Sequence, residues 1–152
     1  MNSLNVRKTQ LDQLMPLIRE ELHAGRSVRF SPSGTSMLPM LREGIDSVVL
    51  SPLPNKLRKY DLPLYQRATG QYVLHRIIKI GQTYTCIGDN QFYYETDLHR
   101  EQMIAIVTSF CRNGNEIKTN NFFYRLYCVF WHYSRPIRHL CDRGTRWLRR
   151  HL

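Results

Sequence analysis

From Ser27 to Lys118 the chain is a succession of short β-type runs separated by turn residues, and this cadence constrains the fold more than any other feature. Val28-Arg29-Phe30 alternates. Asp46-Ser47-Val48-Val49-Leu50 follows, then a Pro-rich turn at 51–54. Asp61-Leu62-Pro63-Leu64-Tyr65 is extended, and its proline suggests an edge. Ala68-Thr69-Gly70 turns into the best strand in the chain, Tyr72 to Ile80. Gly81-Gln82 leads to Tyr84-Thr85-Cys86-Ile87, and Gly88-Asp89-Asn90 turns again. Ile104 to Phe110 is a further strand, and Asn113-Gly114 is a strong hairpin signal before Glu116-Ile117-Lys118. Many short strands at close spacing predict a compact, mainly antiparallel β domain over 27–120.

The flanks read differently. Leu11, Leu14, Leu17, Ile18 and Leu22 recur at helical spacing, which predicts an amphipathic helix over 9–24 within an N-terminal segment 1–26. Thr9 with Asp12 resembles its N-cap, Gly25 its stop, and Pro16 predicts a kink or a later start. The tail, 121–152, is aromatic first (Phe122 to Tyr133) and basic afterwards. It predicts an amphipathic basic helix. Two readings of that helix stay open: it lies in a membrane interface, or it packs its aromatics on the domain and leaves its arginines solvated.

Charge bears on partners. The net charge is +10, and residues 122–152 hold seven Arg against the single acid Asp142, so the basic character belongs mostly to the tail. That favours an acidic partner such as an anionic membrane surface. No nucleic-acid module is recognisable, so nucleic acid is not the expected partner. Four cysteines, at 86, 111, 128 and 141, form no Cys-x-x-Cys pair and have no His at zinc-finger spacing. They read as reduced thiols, and no metal or cofactor is expected. The first 25 residues lack the apolar core of a signal peptide, and no run approaches the ~20 apolar residues that span a bilayer. The expectation is a cytoplasmic protein, or one peripheral on the cytoplasmic membrane face, with a membrane partner protein left open.

One stretch is a candidate to carry chemistry, its alternative reading being a surface turn with a solvated serine. In Gly34-Thr35-Ser36-Met37-Leu38-Pro39, Gly34 permits positive φ, and Pro39 disfavours helix at Leu38. Ser36 is thereby set on a sharp bend at the rim of apolar Met37, Leu38, Met40 and Leu41. A serine nucleophile needs a base, an orienting group for that base, and donors for the oxyanion. His75, inside the best strand, is the candidate base. His23, His99, His132, His139 and His151 sit in helical, loop or basic-tail contexts and read as structural or surface residues. Asp89, in its turn, and Glu95 or Asp97, in the next loop, are the candidate acids.

The order of these parts resembles the serine peptidases of the type I signal peptidase and LexA-like repressor superfamily. Ser36 matches the nucleophile of a Ser-Met-x-Pro motif, His75-Arg76-Ile77 the box whose first residue is the general base, and Gly88-Asp89-Asn90 a Gly-Asp-Asn box. The resemblance covers roughly residues 27–110. Histidine in place of lysine as base is similar to the archaeal and endoplasmic-reticulum branch. A Gly-Asp pair of the family is stretched here to Gly44-Ile45-Asp46, read as a bulge.

The resemblance implies a LexA- and signal-peptidase-like β fold, a substrate bound as an extended strand, and a Ser36 backbone amide that donates to the oxyanion. Gly34, Thr35 and Met37 would complete the substrate and oxyanion region. Asp89 or Glu95 would support the Ser36/His75 dyad, with Asp97 as the alternative to Glu95. The expected function is a serine endopeptidase that cleaves a peptide or leader segment. The rival is a catalytically silent peptide- or membrane-binding relative of the same fold.

Overall fold

The computed structural model describes residues 3–142. Two antiparallel sheets form its centre. Strands β1 (Val28–Phe30), β2 (Ser47–Ser51), β3 (Pro63–Gln66), β4 (Tyr72–Leu74), β8 (Met103–Arg112) and β9 (Asn115–Lys118) make the larger sheet. Its order is β1-β2-β8-β3-β4, with β9 also on β8. The smaller sheet is β5 (Arg76–Ile80), β6 (Tyr84–Ile87) and β7 (Glu95–Leu98), in that order. The mainly antiparallel β expectation therefore stands, with helices at both ends of the chain.

The long strand expected over Tyr72 to Ile80 is two strands. Tyr72–Leu74 pairs with β3, Arg76–Ile80 pairs with β6, and the one residue between them, His75, carries the chain from one sheet to the other. The sequence gives no hint of the break, because apolar residues run through it on both sides. The loop before β3 stitches the sheets together: Tyr60 N donates to Ile77 O (2.7 Å), and Ile77 N donates to Asp61 O (2.9 Å). Tyr60 takes positive φ there. Nor is the Pro63 strand an edge. It lies between β8 and β4, and its proline is the first residue of the strand, where a missing donor is tolerated. Asn113-Gly114 forms the β8–β9 hairpin with positive φ at both residues, as its chemistry predicts.

Three further expectations are corrected. The loop expected at Glu95 to Asp97 belongs to β7; Asp97 disguises it by adopting positive φ inside a strand. Gly44-Ile45-Asp46 closes a turn that follows the Ser36 loop instead of forming a bulge, with Asp46 N donating to Arg42 O (3.0 Å). The buried Asp46 carboxylate accepts from the Arg42 guanidinium and backbone N–H. The first helix, α1 (Ser3–His23), starts earlier than expected and runs through Pro16. From that helix Met15, Ile18 and Leu22 reach the main core, where Met37, Met40, Leu41, Val48, Leu50, Leu64, Leu74, Val107 and Phe110 meet. A second cluster, with Leu57, Tyr65, Val73, Ile77, Cys86, Leu98 and Met103, fills the space between the two sheets.

The tail is helical as far as it is described: α2 (Phe122–Tyr133), then helical residues 135–142. Asn121 caps α2 by accepting from Phe123 N and Tyr124 N. Tyr124 and Cys128 are buried in the main core, while the opposite face of the helix, Phe122 and Phe130 among it, is exposed. Trp147, Leu148, Leu152, His151 and the last four arginines lie outside the described residues. Among the described residues no helix is long and apolar enough to cross a membrane.

Candidate active site

The bend that carries Ser36 is built by its neighbours. Gly34 takes positive φ, Leu38 N donates to Thr35 O (3.2 Å), Leu41 N donates to Met37 O (2.9 Å), and the Leu38–Pro39 peptide is cis. Met37, Met40 and Leu41 are buried and anchor the loop, while Ser36 stays partly exposed. The turn at 88–90 holds the bend from the other side. Asn90 N donates to Ser36 O (2.8 Å), and Asn90 Nδ2 donates to Thr35 O (3.2 Å). A Cβ on Gly88 would lie 2.6 Å from Ser36 O, so only glycine permits the two loops to approach this closely.

Ser36 and His75 line one cavity of about 520 Å³, with Gly34, Thr35, Met37, Leu41, Leu74, Asn90 and Gln91 in its wall. The strand break explains how His75 gets there. Because the chain changes sheets at that residue, its side chain sits between them, 2% exposed, rather than alternating with one face. His75 Nδ1 lies 2.9 Å from Glu95 Oε1 and 3.2 Å from Tyr65 Oη. Glu95 is gripped in turn by Arg67: Nε donates to Oε2 (2.8 Å) and Nη2 to Oε1. Burial pushes the Glu95 carboxyl up, but the hydrogen bonds from Arg67 and His75 outweigh it and hold the group down at about 2. Burial also pushes the Tyr65 hydroxyl up, as does the charge of Glu95, so it remains a neutral donor. A carboxylate on Nδ1 fixes the tautomer with the proton on Nδ1 and the basic lone pair on Nε2.

Asp89 is not brought to His75. Its two oxygens accept from Arg76 Nε (2.8 Å) and Nη2 (2.7 Å), and both residues are buried. Arg76 is the most connected side chain in the interior. It also donates to Tyr60 O, Tyr124 Oη, Cys128 Sγ and Met40 Sδ. Burial works against its charge, and Tyr124 and Asp89 beside it more than restore it. The box His75-Arg76 thus has two jobs on adjacent residues. His75 faces the cavity, and Arg76 ties the Gly88–Asn90 turn and the Ser36 loop to α2. Asp97 is exposed, accepts from Thr96 Oγ1 and makes no contact with His75.

Two partners escaped the sequence reading. Tyr65 and Arg67 flank a strand residue at alternate positions, and nothing in β3 marks them as neighbours of an acid 28 or more residues away. The only available signal was the register of β3 on β4, which sets Tyr65 opposite Val73, two residues before His75. All four thiols are free; Cys86, opposite Glu95 on β6, is pushed up to about 12 by burial and then by the charge of Glu95. Among the described residues no cluster of three or more His, Cys, Asp or Glu could hold a metal ion. No family model, curated protein or solved structure matches the chain.

Proposed function

We propose that the chain is a serine endopeptidase of the signal peptidase-like type, with Ser36 as nucleophile, His75 as base and Glu95 as the group that orients it. The observation that carries this reading is a single cavity holding a bend serine and a buried histidine whose Nδ1 is bonded to an ionised carboxylate. That is the arrangement a serine nucleophile needs, whatever the fold around it. Ser36 Oγ attacks the scissile carbonyl carbon as its proton passes to His75 Nε2. The tetrahedral oxyanion takes a hydrogen bond from the Ser36 amide, and His75 returns the proton to the departing amine. Water then attacks the acyl-serine, with His75 again as base, and releases the carboxylate product.

The substrate side fits an extended peptide. β4 is the terminal strand of its sheet, and Tyr72, Val73 and Leu74 line the same cavity as Ser36. A peptide can add to that edge through backbone hydrogen bonds and lay alternate side chains against Met37, Leu41 and Leu74. Asp89 has a structural part in this scheme: it holds the turn that positions Ser36.

One observation favours the second reading, a catalytically silent relative that binds peptide. His75 is engaged by Glu95 and Tyr65, and the contact made by Ser36 is through its carbonyl oxygen rather than its hydroxyl. Peptide libraries incubated with the wild-type chain and with Ser36→Ala, followed by mass spectrometry of new termini, separate the two. Products that require Ser36 support the peptidase. Peptide retention by both proteins with no Ser36-dependent product supports the binding module.

A further inference from the structure

The tail helices have two apolar faces, and among the described residues only one has a partner in the fold. Tyr124, Cys128, Trp131 and Arg135 form the inner stripe, at helical spacing. Tyr124 and Cys128 are buried, Trp131 Nε1 donates to Asp89 O (2.9 Å), and Arg135 is 5% exposed behind Gly88. The outer stripe is Phe122, Phe130, Tyr133, Ile137 and Leu140, joined by Phe123, and these six are 67–76% exposed. Leu126 fills the gap at 54%. The break at Ser134 does not interrupt the stripe. Ser134 N donates to Phe130 O (2.9 Å) and Arg138 N to Ser134 O (3.1 Å), so the helical ladder continues across it. The result is an apolar ridge over 122–142, roughly 30 Å long at helical rise. Single exposed apolar residues need no explanation, but a continuous aromatic ridge does.

The charges beside the ridge are mainly positive, with Asp61, which accepts from Arg125 Nη1 (3.2 Å), and Asp142 as the acids there. Arg125 lies along it and donates to Lys59 O (2.9 Å), which brings the exposed Lys56, Arg58 and Lys59 of the loop before β3 to the same side. Arg138 stacks on Trp131, 3.7 Å from the ring. From residue 121 to the end the sequence adds a single acid, Asp142. Aromatic bulk within a cationic rim matches the boundary between acyl chains and anionic headgroups. The inner stripe is fixed to the core, so the helix pair cannot leave it to cross a bilayer. It can only lie along the surface.

We infer that the outer ridge of α2 and residues 135–142 docks the protein on an anionic lipid bilayer, with Phe122, Phe130, Ile137 and Leu140 inserted to the level of the acyl chains. The surface is independent of whether Ser36 reacts. Truncation is a poor test, because it removes Tyr124 and Cys128 from the core. The full chain is therefore floated with vesicles of phosphatidylcholine alone and with vesicles containing equal phosphatidylglycerol. Wild type is expected to float with the anionic vesicles, about tenfold or more better than with neutral ones, and less as salt rises. The double change Phe130→Ser/Ile137→Ser, at exposed positions, is expected to weaken flotation about tenfold or more while far-UV circular dichroism is unchanged. Phe122→Ser/Leu126→Ser, one turn or more away, repeats the test should the first pair disturb folding. Wild type left at the bottom with anionic vesicles overturns the inference. So does a folded double variant that floats like wild type, or one whose only change is the loss of a dimer in sedimentation.

Discussion

Glu95→Gln is the sharpest test of the geometry around His75, because its size can be worked out and needs no substrate. In the folded chain the Glu95 carboxylate accepts from Arg67 and His75 and titrates at about 2 rather than near its ordinary 4.5. A carboxyl whose folded value is depressed stabilises the fold above its unfolded value, and that contribution is lost as pH falls through the folded one. The displacement corresponds to on the order of 3 kcal/mol at about pH 7, with Glu95 19% exposed and solvent screening lowering it somewhat. Glutamine keeps the shape and removes the charge. Urea unfolding of wild type and variant, followed by the fluorescence of the two tryptophans, should therefore differ by about 2–3 kcal/mol near neutral pH. By about pH 3 less than half of that difference should remain, because the unfolded chain already takes up the proton there while the folded carboxylate still resists it. Other carboxylates titrate in both proteins and cancel from the difference. A gap that stays the same from neutral pH to about pH 3, or no gap at all, would refute the ionised Glu95 and with it the orienting role. In the peptide assay the same variant should lose about 10²–10⁴-fold in turnover if it turns over at all, since an amide no longer fixes the His75 tautomer.

Gly88→Ala should destabilise by about 1–3 kcal/mol and lower Ser36-dependent cleavage, since its Cβ would meet Ser36 O at 2.6 Å and force the two loops apart; thermal melts and peptide turnover read the two effects. Tyr124→Phe removes the acceptor 2.8 Å from the buried Arg76 Nη1 and should cost about 1–3 kcal/mol in chemical denaturation, with wild-type stability refuting the role given to that bond.

The sheet region was legible because its turns announce themselves. Asn113-Gly114 and Gly88-Asp89-Asn90 each form the turn that their residues favour. What stayed hidden depends on neighbours distant in sequence. The change of sheet at His75 leaves no mark on Tyr72 to Ile80, since both halves are apolar and either could continue the other. β7 was missed because Glu95-Thr96-Asp97-Leu98 has one residue of β-type and an Asp at positive φ. Among the candidate residues, the order of the boxes in the sequence pointed to Ser36 and His75, and the structure sets both on one cavity. The choice between Asp89 and Glu95 needed three dimensions, because it is Arg76, the residue beside His75, that takes up Asp89.

That division of labour between His75 and Arg76 bears on the tail. The Asp89 carboxylate neutralises Arg76, the Asp89 carbonyl accepts from Trp131 and Arg138 of the tail helices, and the next residue, Asn90, donates to Ser36 O. One short turn therefore touches the helix pair on one side and the serine bend on the other. A shift of α2, such as one caused by insertion of its outer ridge into a bilayer, would reach the Ser36 loop through this short run of hydrogen-bonded groups. The equilibrium position of the bend and the occupancy of the ridge are linked to the extent that the ridge binds two positions of α2 unequally. Anionic vesicles should then change the rate of Ser36-dependent cleavage of a water-soluble peptide that does not itself partition into lipid, and Phe130→Ser/Ile137→Ser should remove that change while sparing the rate without vesicles. A vesicle effect of equal size in the double variant would place the coupling elsewhere, and no vesicle effect in a wild type that floats would mean the turn transmits nothing.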